Sequence, residues 1–218
     1  MPAGEYATFL TNHDQNRVMS TFNGNVEKAK VAASLLLASP GTPFLYYGEE
    51  IGMTGQKPDE DIRLPMQWSG EAASAGFTTG IPWRTPGANK TSMNVDSEDK
   101  ASTSLLNHYR ALIGLRNQHP ALQTGIPNLL RASIPSIYAI LRTEGSETIL
   151  VLINLSGETL KDFSLGAIGT QLKNGTYQLE TIFGSGTAQP LTINAGKLSS
   201  YQPLAGLPPY STTIFILK

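Results

Sequence analysis

The chain has 218 residues, of which 40% are hydrophobic and 15% are charged, and it contains no cysteine. This length and apolar content allow one large domain or two smaller ones. The 16 basic and 17 acidic residues give a net charge of −1, so no basic surface for nucleic acid is indicated. Without cysteine the chain has neither disulfides nor thiolate metal sites, and a secreted, periplasmic or cytoplasmic location in a bacterium fits the sequence equally well.

The N-terminal residues and the apolar runs bear on targeting. No apolar run reaches the roughly 20 residues that a membrane-spanning helix requires, so we expect no membrane partner. Residues 1–5 lack the charged and apolar regions of a signal peptide. An apolar strand follows almost at once, although a domain seldom begins so abruptly. We therefore expect further residues upstream of Met1.

The first part of the chain predicts a strand, a helix and a second strand. Residues 6–10 and 43–47 are apolar runs that predict short buried strands. Between them, apolar positions at helical spacing predict a helix over residues 26–38, with Asn25 as its N-cap. This order is typical of a βαβ unit in a parallel sheet that is covered on both faces.

Both strands end in polar residues. Asn12, His13 and Asp14 follow the first strand, where α/β enzymes tend to keep their chemistry. A histidine beside an aspartate offers one ligand a hydrogen-bond donor and a negative charge. These residue types also form turns, so the trio alone favours a structural role. Glu49 and Glu50 end the second strand, and we expect one of them to bond neighbouring loop backbone rather than to form an acid/base pair.

A long segment without periodicity follows. Residues 51–97 show neither helical nor strand spacing, yet they contain both tryptophans, Trp68 and Trp83. Long irregular loops in a compact domain are usually functional or disordered, and the tryptophans argue against disorder. The next segment predicts a helix over residues 99–118, with Ser97 as its N-cap.

After residue 122 the pattern changes to short β-rich runs separated by Gly, Asn and Ser. The runs are residues 128–132, 136–142, 148–154, 160–164, 176–182, 189–193, 197–201 and 211–217. Roughly eight strands at this spacing predict an antiparallel β-sandwich.

Four stretches, taken in order, carry a family resemblance: FLTNHDQNR (9–17), GTPFLYYGEE (41–50), DIRLPMQW (61–68) and HYRALIGLRNQHPAL (108–122). They resemble the α-amylase superfamily of glycoside hydrolases. The first is similar to the signature after the seventh strand of that family's (β/α)8 barrel, and the second to the eighth strand and its turn. The third resembles a loop of α-glucosidase-like and maltodextrin-degrading members, and the fourth resembles the closing helix.

The resemblance implies an α/β plus all-β fold. Residues 1–122 would form the C-terminal quarter of a (β/α)8 barrel, with strands 7 and 8, their helices and a long active-site loop. Residues 123–218 would form the C-terminal antiparallel β-sandwich. Because a full barrel takes about 250 residues, we expect the missing N-terminal barrel portion to be a partner. Otherwise self-association would cover the exposed strand edges.

The resemblance also implies a retaining enzyme acting on α-1,4-glucans or maltodextrins. Retaining glycosidases use two carboxyl groups about 5 Å apart, one as nucleophile and one as acid/base. The family places both after strands that this chain lacks, so we expect the chain to be inactive alone. The alternatives are a transglycosylase, a sugar isomerase, or a non-catalytic carbohydrate-binding or scaffold protein.

The resemblance implies roles for Asp14 and His13, and the chemistry of their neighbours suggests roles for Arg17, Arg63 and Trp68. Asp14 would be a third carboxylate that stabilises the transition state by bonding sugar hydroxyls. His13 would bond the same sugar, and Arg17 would orient a carboxylate or reach the substrate unless a salt bridge uses it to stiffen the loop. Arg63 and Trp68 would border the sugar, because aromatic faces suit pyranose rings. A buried packing role is the alternative for Trp68.

No cofactor is expected, and no metal ligand is assigned. Calcium is compatible with a full-length enzyme, but Asp59, Glu60 and Asp61 in a Pro-rich loop are more often simply solvated. We assign Trp83 mostly to packing.

Overall fold

The computed structural model describes residues 6–70 and 73–218, so the prediction for residues 1–5 lies outside the described residues. The helices are α1 (Val18–Thr21), α2 (Val26–Ala38), α3 (Asp59–Ile62), α4 (Val95–Lys100), α5 (Leu105–Gln118) and α6 (Pro120–Gln123). The strands are β1 (Ala7–Phe9), β2 (Thr42–Phe44), β3 (Ile126–Leu129), β4 (Arg131–Ala132), β5 (Ile137–Glu144), β6 (Glu147–Asn154), β7 (Leu160–Lys161), β8 (Leu165–Ala167), β9 (Gly175–Tyr177), β10 (Leu179–Phe183), β11 (Leu191–Ile193), β12 (Leu198–Tyr201), β13 (Gly206–Leu207) and β14 (Thr212–Leu217). Within the described ranges, no helix has both the length and the apolar character to cross a membrane.

The chain forms two compact units. The site unit comprises Ala7–Leu36 and Pro43–Gly114, and the β unit comprises Tyr6, Leu37–Thr42 and Leu115–Lys218. The site unit contains a buried apolar cluster of Ile51, Met53, Leu64 and Leu106.

The helix predicted over residues 26–38 is confirmed as α2. Its predicted N-cap is also present, because the Lys28 N–H donates to the side-chain oxygen of Asn25 at 3.0 Å. Glu27 lies in the first turn, where its charge complements the helix dipole. Local signals therefore suffice to place this helix.

The strands on either side of α2 are shorter and more exposed than the sequence predicts. β1 and β2 pair with each other in a two-stranded sheet. Phe9 is 47% exposed and Phe44 is 58% exposed. Among the described residues no third strand pairs with either of them, so their apolar side chains face solvent instead of a core. The prediction of two buried strands is therefore wrong for this chain by itself.

The helix predicted over residues 99–118 is divided into α4 and α5. Asn94, and not Ser97, caps α4, because the Ser97 N–H donates to the Asn94 side-chain oxygen at 2.9 Å. Directly before α5, the hydroxyl of Ser104 accepts the N–H of Asn107 at 3.1 Å. Serine and asparagine side chains that satisfy backbone N–H groups start helices, and this interrupts the predicted run.

The β unit consists of antiparallel sheets around one core. The largest sheet has the order β10-β14-β6-β5-β3, and β12-β8-β4 form a second sheet. Two strand pairs, β11-β9 and β13-β7, complete the set among the described residues. The shared core includes Leu141, Leu150 and Phe215 from the large sheet and Leu165, Ile193 and Leu198 from the smaller ones. The core therefore lies between the five-stranded sheet and the smaller sheets.

The predicted β-rich runs are divided where the chain passes from one sheet to another. β3 pairs with β5 whereas β4 pairs with β8, so the run 128–132 changes sheets at Leu130. β9 pairs with β11 whereas β10 pairs with β14, which divides the run 176–182. In the run 160–164, a left-handed φ of 52° at Asp162 ends β7. These breaks depend on distant strands, and the local pattern does not contain that information.

Two buried arginines, the arginine clasp, hold the C-terminal end of α2. Arg116 donates from Nη1 to the Leu37 carbonyl at 2.7 Å and from Nη2 to the Gly41 carbonyl at 2.6 Å. Arg142 donates from Nη1 to the Ala38 carbonyl at 3.0 Å. The last carbonyls of a helix have no partners inside the helix, and cations there complement its dipole. Burial lowers the pKa of Arg142 to about 10, so Arg142 is still charged at neutral pH.

Candidate active site

The NHD turn, Asn12 to Asp14, follows β1 after two residues. The side-chain oxygen of Asn12 accepts the N–H of Asp14 at 2.9 Å, and its carbonyl accepts the N–H of Gln15 at 3.3 Å. An asparagine that bonds backbone two residues ahead closes a turn on its own. His13 Nε2 lies 3.3 Å from Asp14 Oδ2, and the two side chains are 66% and 61% exposed. The turn thus presents an imidazole and a carboxylate together to solvent.

Arg63 joins the NHD turn to α3, which it follows as the C-cap residue. Its Nε donates to the His13 carbonyl at 2.9 Å, and its Nη2 donates to Asp14 Oδ1 at 3.1 Å. The same Nη2 donates to Asp59 Oδ2 at 2.6 Å. Lys57 and then Arg63 lower the pKa of Asp59 below its ordinary value. One guanidinium therefore fixes both the backbone and the carboxylate of the turn.

Arg17 is buried beneath this region, with only 1% of its surface exposed. Its Nε donates to the Ile62 carbonyl at 3.0 Å, and its Nη1 donates to the Tyr47 carbonyl at 2.7 Å. The guanidinium carbon lies 4.6 Å from the ring centroid of Tyr46 and 4.8 Å from that of Tyr47, within cation–π range. Burial lowers the pKa of Arg17 below its ordinary value. These contacts favour the loop-stiffening alternative, although carbonyls and rings replace the expected salt bridge.

Glu49 lies beneath the same turn and is 3% exposed. The hydroxyl of Thr11, the residue before the NHD turn, donates to Glu49 Oε2 at 2.9 Å. The hydroxyl of Tyr109 on α5 donates to Glu49 Oε1 at 3.2 Å. Burial raises the pKa of Glu49 to about 7, although the two hydroxyl donors oppose that shift. Glu49 thus ties a strand end to a helix.

Glu50 fits the expectation that one of the two glutamates bonds nearby backbone. Main-chain groups of Gly48 and of Glu50 itself hydrogen-bond its carboxylate and lower its pKa, whereas burial raises the pKa and is the larger effect.

Trp68 is half-exposed and its backbone joins two loop segments. The N–H groups of Trp68 and Ser69 both donate to the carbonyl of Ala75, at 2.9 and 3.0 Å. The carbonyl of Trp68 accepts the N–H of Asp96 at 3.1 Å. This backbone anchoring fixes the base of the half-exposed side chain.

Residues 73–86 form a loop that we name the tryptophan loop. Trp83 in this loop is 58% exposed, so the prediction that it is mainly a packing residue is wrong. Its neighbour Arg84 donates from Nε and Nη2 to Asp61 Oδ1, at 3.0 and 2.6 Å. The exposed indole of Trp83 thus lies next in sequence to a residue that is bound to α3.

The candidate site lies in a region with a family match. A sequence model described as "Alpha amylase, catalytic domain" matches residues 1–125, which is more than half of the chain. The chain belongs to the α-amylase family.

Curated relatives extend this assignment. "Alpha-amylase 3" of Dictyoglomus thermophilum is 40% identical over 152 residues, covering 69% of this chain and 30% of the relative. An oligo-1,6-glucosidase of Halalkalibacterium halodurans is 33% identical over 204 residues, covering 75% of this chain and 36% of the relative. This α-amylase family chain thus spans about a third of the length of the curated relatives it matches.

Solved structures agree with the sequence relatives. The α-amylase from H. orenii matches with a TM-score of 0.72 at 33% identity, covering 97% of this chain and 40% of that one. The trehalulose synthase of Pseudomonas mesoacidophila MX-45 matches with a TM-score of 0.71 at 28% identity, covering 97% of this chain and 43% of that one. The relatives of this chain therefore include hydrolases and a sugar synthase of one superfamily.

Three of the five residues that the sequence singles out in this α-amylase family chain are in mutual contact. Asp14, His13 and Arg63 meet at the NHD turn. Arg17 lies in the same unit with its guanidinium buried, and Trp68 contacts the tryptophan loop. Sequence position alone does not reveal these distances.

Sequence reasoning missed the side-chain partners of the site. Thr11 and Tyr109 bind Glu49 across separations of 38 and 60 residues. Arg84 binds Asp61 across 23 residues. The only local signal for Glu49 is its place at the end of a strand, and that signal does not identify hydroxyl donors.

The acidic stretch proposed as a calcium alternative is engaged in ion pairs. Asp59 pairs with Lys57 and Arg63, and Asp61 pairs with Arg84. Across residues 6–70 and 73–218, no group of three histidine, aspartate or glutamate side chains is placed to hold a metal ion.

Proposed function

We propose that this chain is the C-terminal part of a retaining enzyme that acts on α-1,4-glucans or maltodextrins. In this proposal, residues 1–122 supply the last quarter of a (β/α)8 barrel, with strands 7 and 8 and their helices. Residues 123–218 supply the C-terminal β-sandwich. The family match over residues 1–125 and the partial coverage of longer relatives support this assignment.

The observation that carries the proposal is the geometry of the NHD turn. Asp14 has an exposed carboxylate that Arg63 bonds directly, while the Asn12 side chain accepts the backbone N–H of Asp14 and fixes the turn. A charge that is already held in place needs little rearrangement when positive charge develops on the substrate. Such groups stabilise the transition state by about 2–4 kcal/mol each. Glycosidase transition states resemble oxocarbenium ions. Asp14 therefore acts as a transition-state stabiliser that accepts hydrogen bonds from sugar hydroxyls.

The neighbouring side chains complete the substrate contacts. His13 donates to the same sugar, and Arg63 keeps Asp14 in place while bordering the site. Trp68 offers an indole face to a pyranose ring. Arg17 does not contact the sugar in this proposal. Its buried guanidinium stiffens the loop by donating to main-chain carbonyls.

The reaction needs groups that this proposal places in the N-terminal portion of the barrel. A retaining mechanism requires a nucleophile and an acid/base about 5 Å apart. Neither is assigned to a residue of this chain, so the chain by itself is inactive. Its partner is the N-terminal barrel portion, and its substrate is a maltooligosaccharide or an α-glucan.

A second candidate is transfer or isomerisation at the same site. The match to a trehalulose synthase supports this second candidate, because that enzyme shares the fold over 97% of this chain. Product analysis separates the two candidates: hydrolysis of maltodextrin lowers the number of glycosidic bonds and releases reducing ends, whereas transfer or isomerisation forms one glycosidic bond for each one broken.

A chimera tests the proposal. The N-terminal portion of the Dictyoglomus relative, up to the point where the match begins, would be joined to this chain. We expect the chimera to release reducing sugar from maltodextrin and the 218-residue chain alone to release none. A folded chimera without activity, or an active isolated chain, would contradict the proposal.

Asp14→Asn in the chimera tests the assigned residue. Loss of the charge should lower kcat/KM by about 10²–10³-fold, the rate equivalent of ~3–4 kcal/mol. Asp96→Asn is the matched control, because Asp96 is an exposed aspartate on α4. Equal activity of Asp14→Asn and Asp96→Asn would show that the Asp14 charge does not contribute to catalysis.

A further inference from the structure

The tryptophan loop displays apolar surface that the proposed site does not use. Trp83 and Phe77 are exposed, and Ile81 between them is 98% exposed. Isolated exposed apolar residues are common, but aromatic ones concentrated in one short loop mark a contact surface.

The loop is held at both of its ends. Near one end, Ala75 accepts the N–H groups of Trp68 and Ser69. Near the other, Arg84 binds Asp61 on α3. Inside the loop, the hydroxyl of Ser74 donates to the Thr78 carbonyl at 2.7 Å. A surface fixed in this way loses little conformational entropy when it binds a ligand.

α3 connects the loop to the NHD turn. Asp61 on this helix holds Arg84 at 2.6 Å, and Arg63, two residues later, holds Asp14 at 3.1 Å. Both ion pairs are anchored in one short segment, at Asp61 on α3 and at its C-cap residue Arg63. The indole next to Arg84 is thus linked to the carboxylate proposed to act on the sugar.

A cavity of about 520 Å³ lies within the loop. Its lining combines hydroxyl-bearing and apolar side chains, among them Ser74, Thr78, Thr79, Thr85, Ile81 and Pro82. This volume falls within the range of small-molecule sites, and the lining suits a ligand with both an apolar face and hydroxyl groups. A glucosyl ring has these properties, whereas an apolar peptide does not need the hydroxyls.

We propose that Trp83 and the tryptophan loop form an auxiliary platform on which a glucosyl unit of an α-glucan stacks, away from the cleavage point. The inference rests on the proposed function, because it takes the same substrate class and adds a second place of contact. We expect long glucans to bind more tightly than maltose, because they can contact Trp83 in addition to Asp14.

The chain is suited to a fluorescence test because it contains only two tryptophans. Trp68→Phe leaves Trp83 as the sole indole, and Trp83→Phe leaves Trp68. Each variant of the 218-residue chain would be titrated with maltoheptaose and with cellohexaose. We expect saturable emission changes from Trp83 with maltoheptaose only. Unchanged Trp83 emission at saturating maltoheptaose would overturn the proposal.

Calorimetry supplies an independent measurement. Trp83→Ala should raise the dissociation constant for maltoheptaose by about tenfold or more, as expected when a central tryptophan contact is removed. Ile168→Ala is the control, because Ile168 is an apolar residue of the β unit that is even more exposed than Trp83, and its effect should stay below about twofold. Unchanged affinity in Trp83→Ala, with a native circular dichroism spectrum, would overturn the proposal.

The chimera separates the two claims. Asp14-dependent hydrolysis without any effect of Trp83→Ala on maltoheptaose affinity would remove the platform and leave the enzyme assignment. Binding that depends on Trp83 in a folded chimera without hydrolytic activity would remove the enzyme assignment and leave the platform.

Discussion

The carboxyl group of Glu49 is buried between two hydroxyl groups, and this makes it sensitive to pH. An acid whose pKa is higher in the folded state than in the unfolded state favours folding while it is protonated. For Glu49 this contribution is complete below its ordinary pKa of 4.5 and is lost as the pH rises through about 7. Deprotonation then leaves a buried charge with only two hydrogen-bond donors, from Thr11 and Tyr109.

Glu49→Gln should therefore flatten part of the pH profile of stability. In the wild-type chain, the Glu49 contribution to the free energy of unfolding should fall by up to ~3 kcal/mol between pH 4.5 and 8. The glutamine keeps the shape of the side chain and remains neutral. Denaturant unfolding at several pH values measures the difference between the two proteins.

Glu60→Gln is the control, because Glu60 is exposed and is hydrated in both states. A Glu49→Gln profile parallel to the wild-type profile would refute the assignment. His108 acts in the opposite direction: burial lowers its pKa to about 4, so its contribution is lost as the pH falls from 6.5 through 4. Because His108 is present in both proteins, its contribution cancels in the difference between Glu49→Gln and the wild-type chain.

The residues proposed to contact the substrate were predictable from the sequence, but the side chains that hold them in place were not. Asp14 and His13 lie in a motif that the sequence displays, so their selection needs no coordinates. Arg63 comes from a second motif 49 residues away, and only the fold brings its Nη2 to Asp14. Arg17 belongs to the same motif as Asp14, yet the rings of Tyr46 and Tyr47 enclose it.

Among the secondary-structure elements, α2 was predictable from local signals, whereas its C-terminal end depends on the arginine clasp. Arg116 lies on α5 and Arg142 lies on β5. Both donate to carbonyls of the segment Leu37–Thr42, which is distant in sequence. The change of sheet at Leu130 has the same origin, because pairing with distant strands decides it. The Ser104 cap is local by contrast, since the Ser104 hydroxyl accepts the N–H of Asn107 three residues later.

Arg116→Met should destabilise the chain by about 2–4 kcal/mol. The substitution keeps the aliphatic volume and removes the donors to Leu37 and Gly41, and carbonyls left buried without donors are costly. Arg110→Met is the matched control on the same helix, because Arg110 makes an exposed pair with Asp99 worth about 0–1 kcal/mol.

Chemical denaturation of both variants measures these losses. Equal destabilisation of Arg116→Met and Arg110→Met would show that the clasp contributes no more than a surface ion pair.

For the chain as a whole, the exposed apolar strands β1 and β2 predict association. Unpaired strand edges bearing Phe9 and Phe44 are templates for further pairing. We expect the 218-residue chain to self-associate in solution when the N-terminal barrel portion is absent. Light scattering coupled to size exclusion measures the mass.

Phe44→Lys should shift the population toward monomer, because lysine on an edge strand opposes pairing. Ile168→Lys, which places the same charge at an even more exposed apolar site of the β unit, should leave the mass unchanged. A monodisperse wild-type monomer would contradict the prediction. An equal decrease of the measured mass in Phe44→Lys and Ile168→Lys would contradict it as well.

The Asp14 carboxylate also has a consequence for how it receives a sugar. A carboxylate offers about four lone-pair positions, two on each oxygen. Arg63 occupies one on Oδ1, and His13 approaches one on Oδ2. One position on each oxygen is left for hydroxyl donors. A sugar can therefore dock on Asp14 without displacing either neighbour, so the group that fixes the carboxylate does not compete with the ligand.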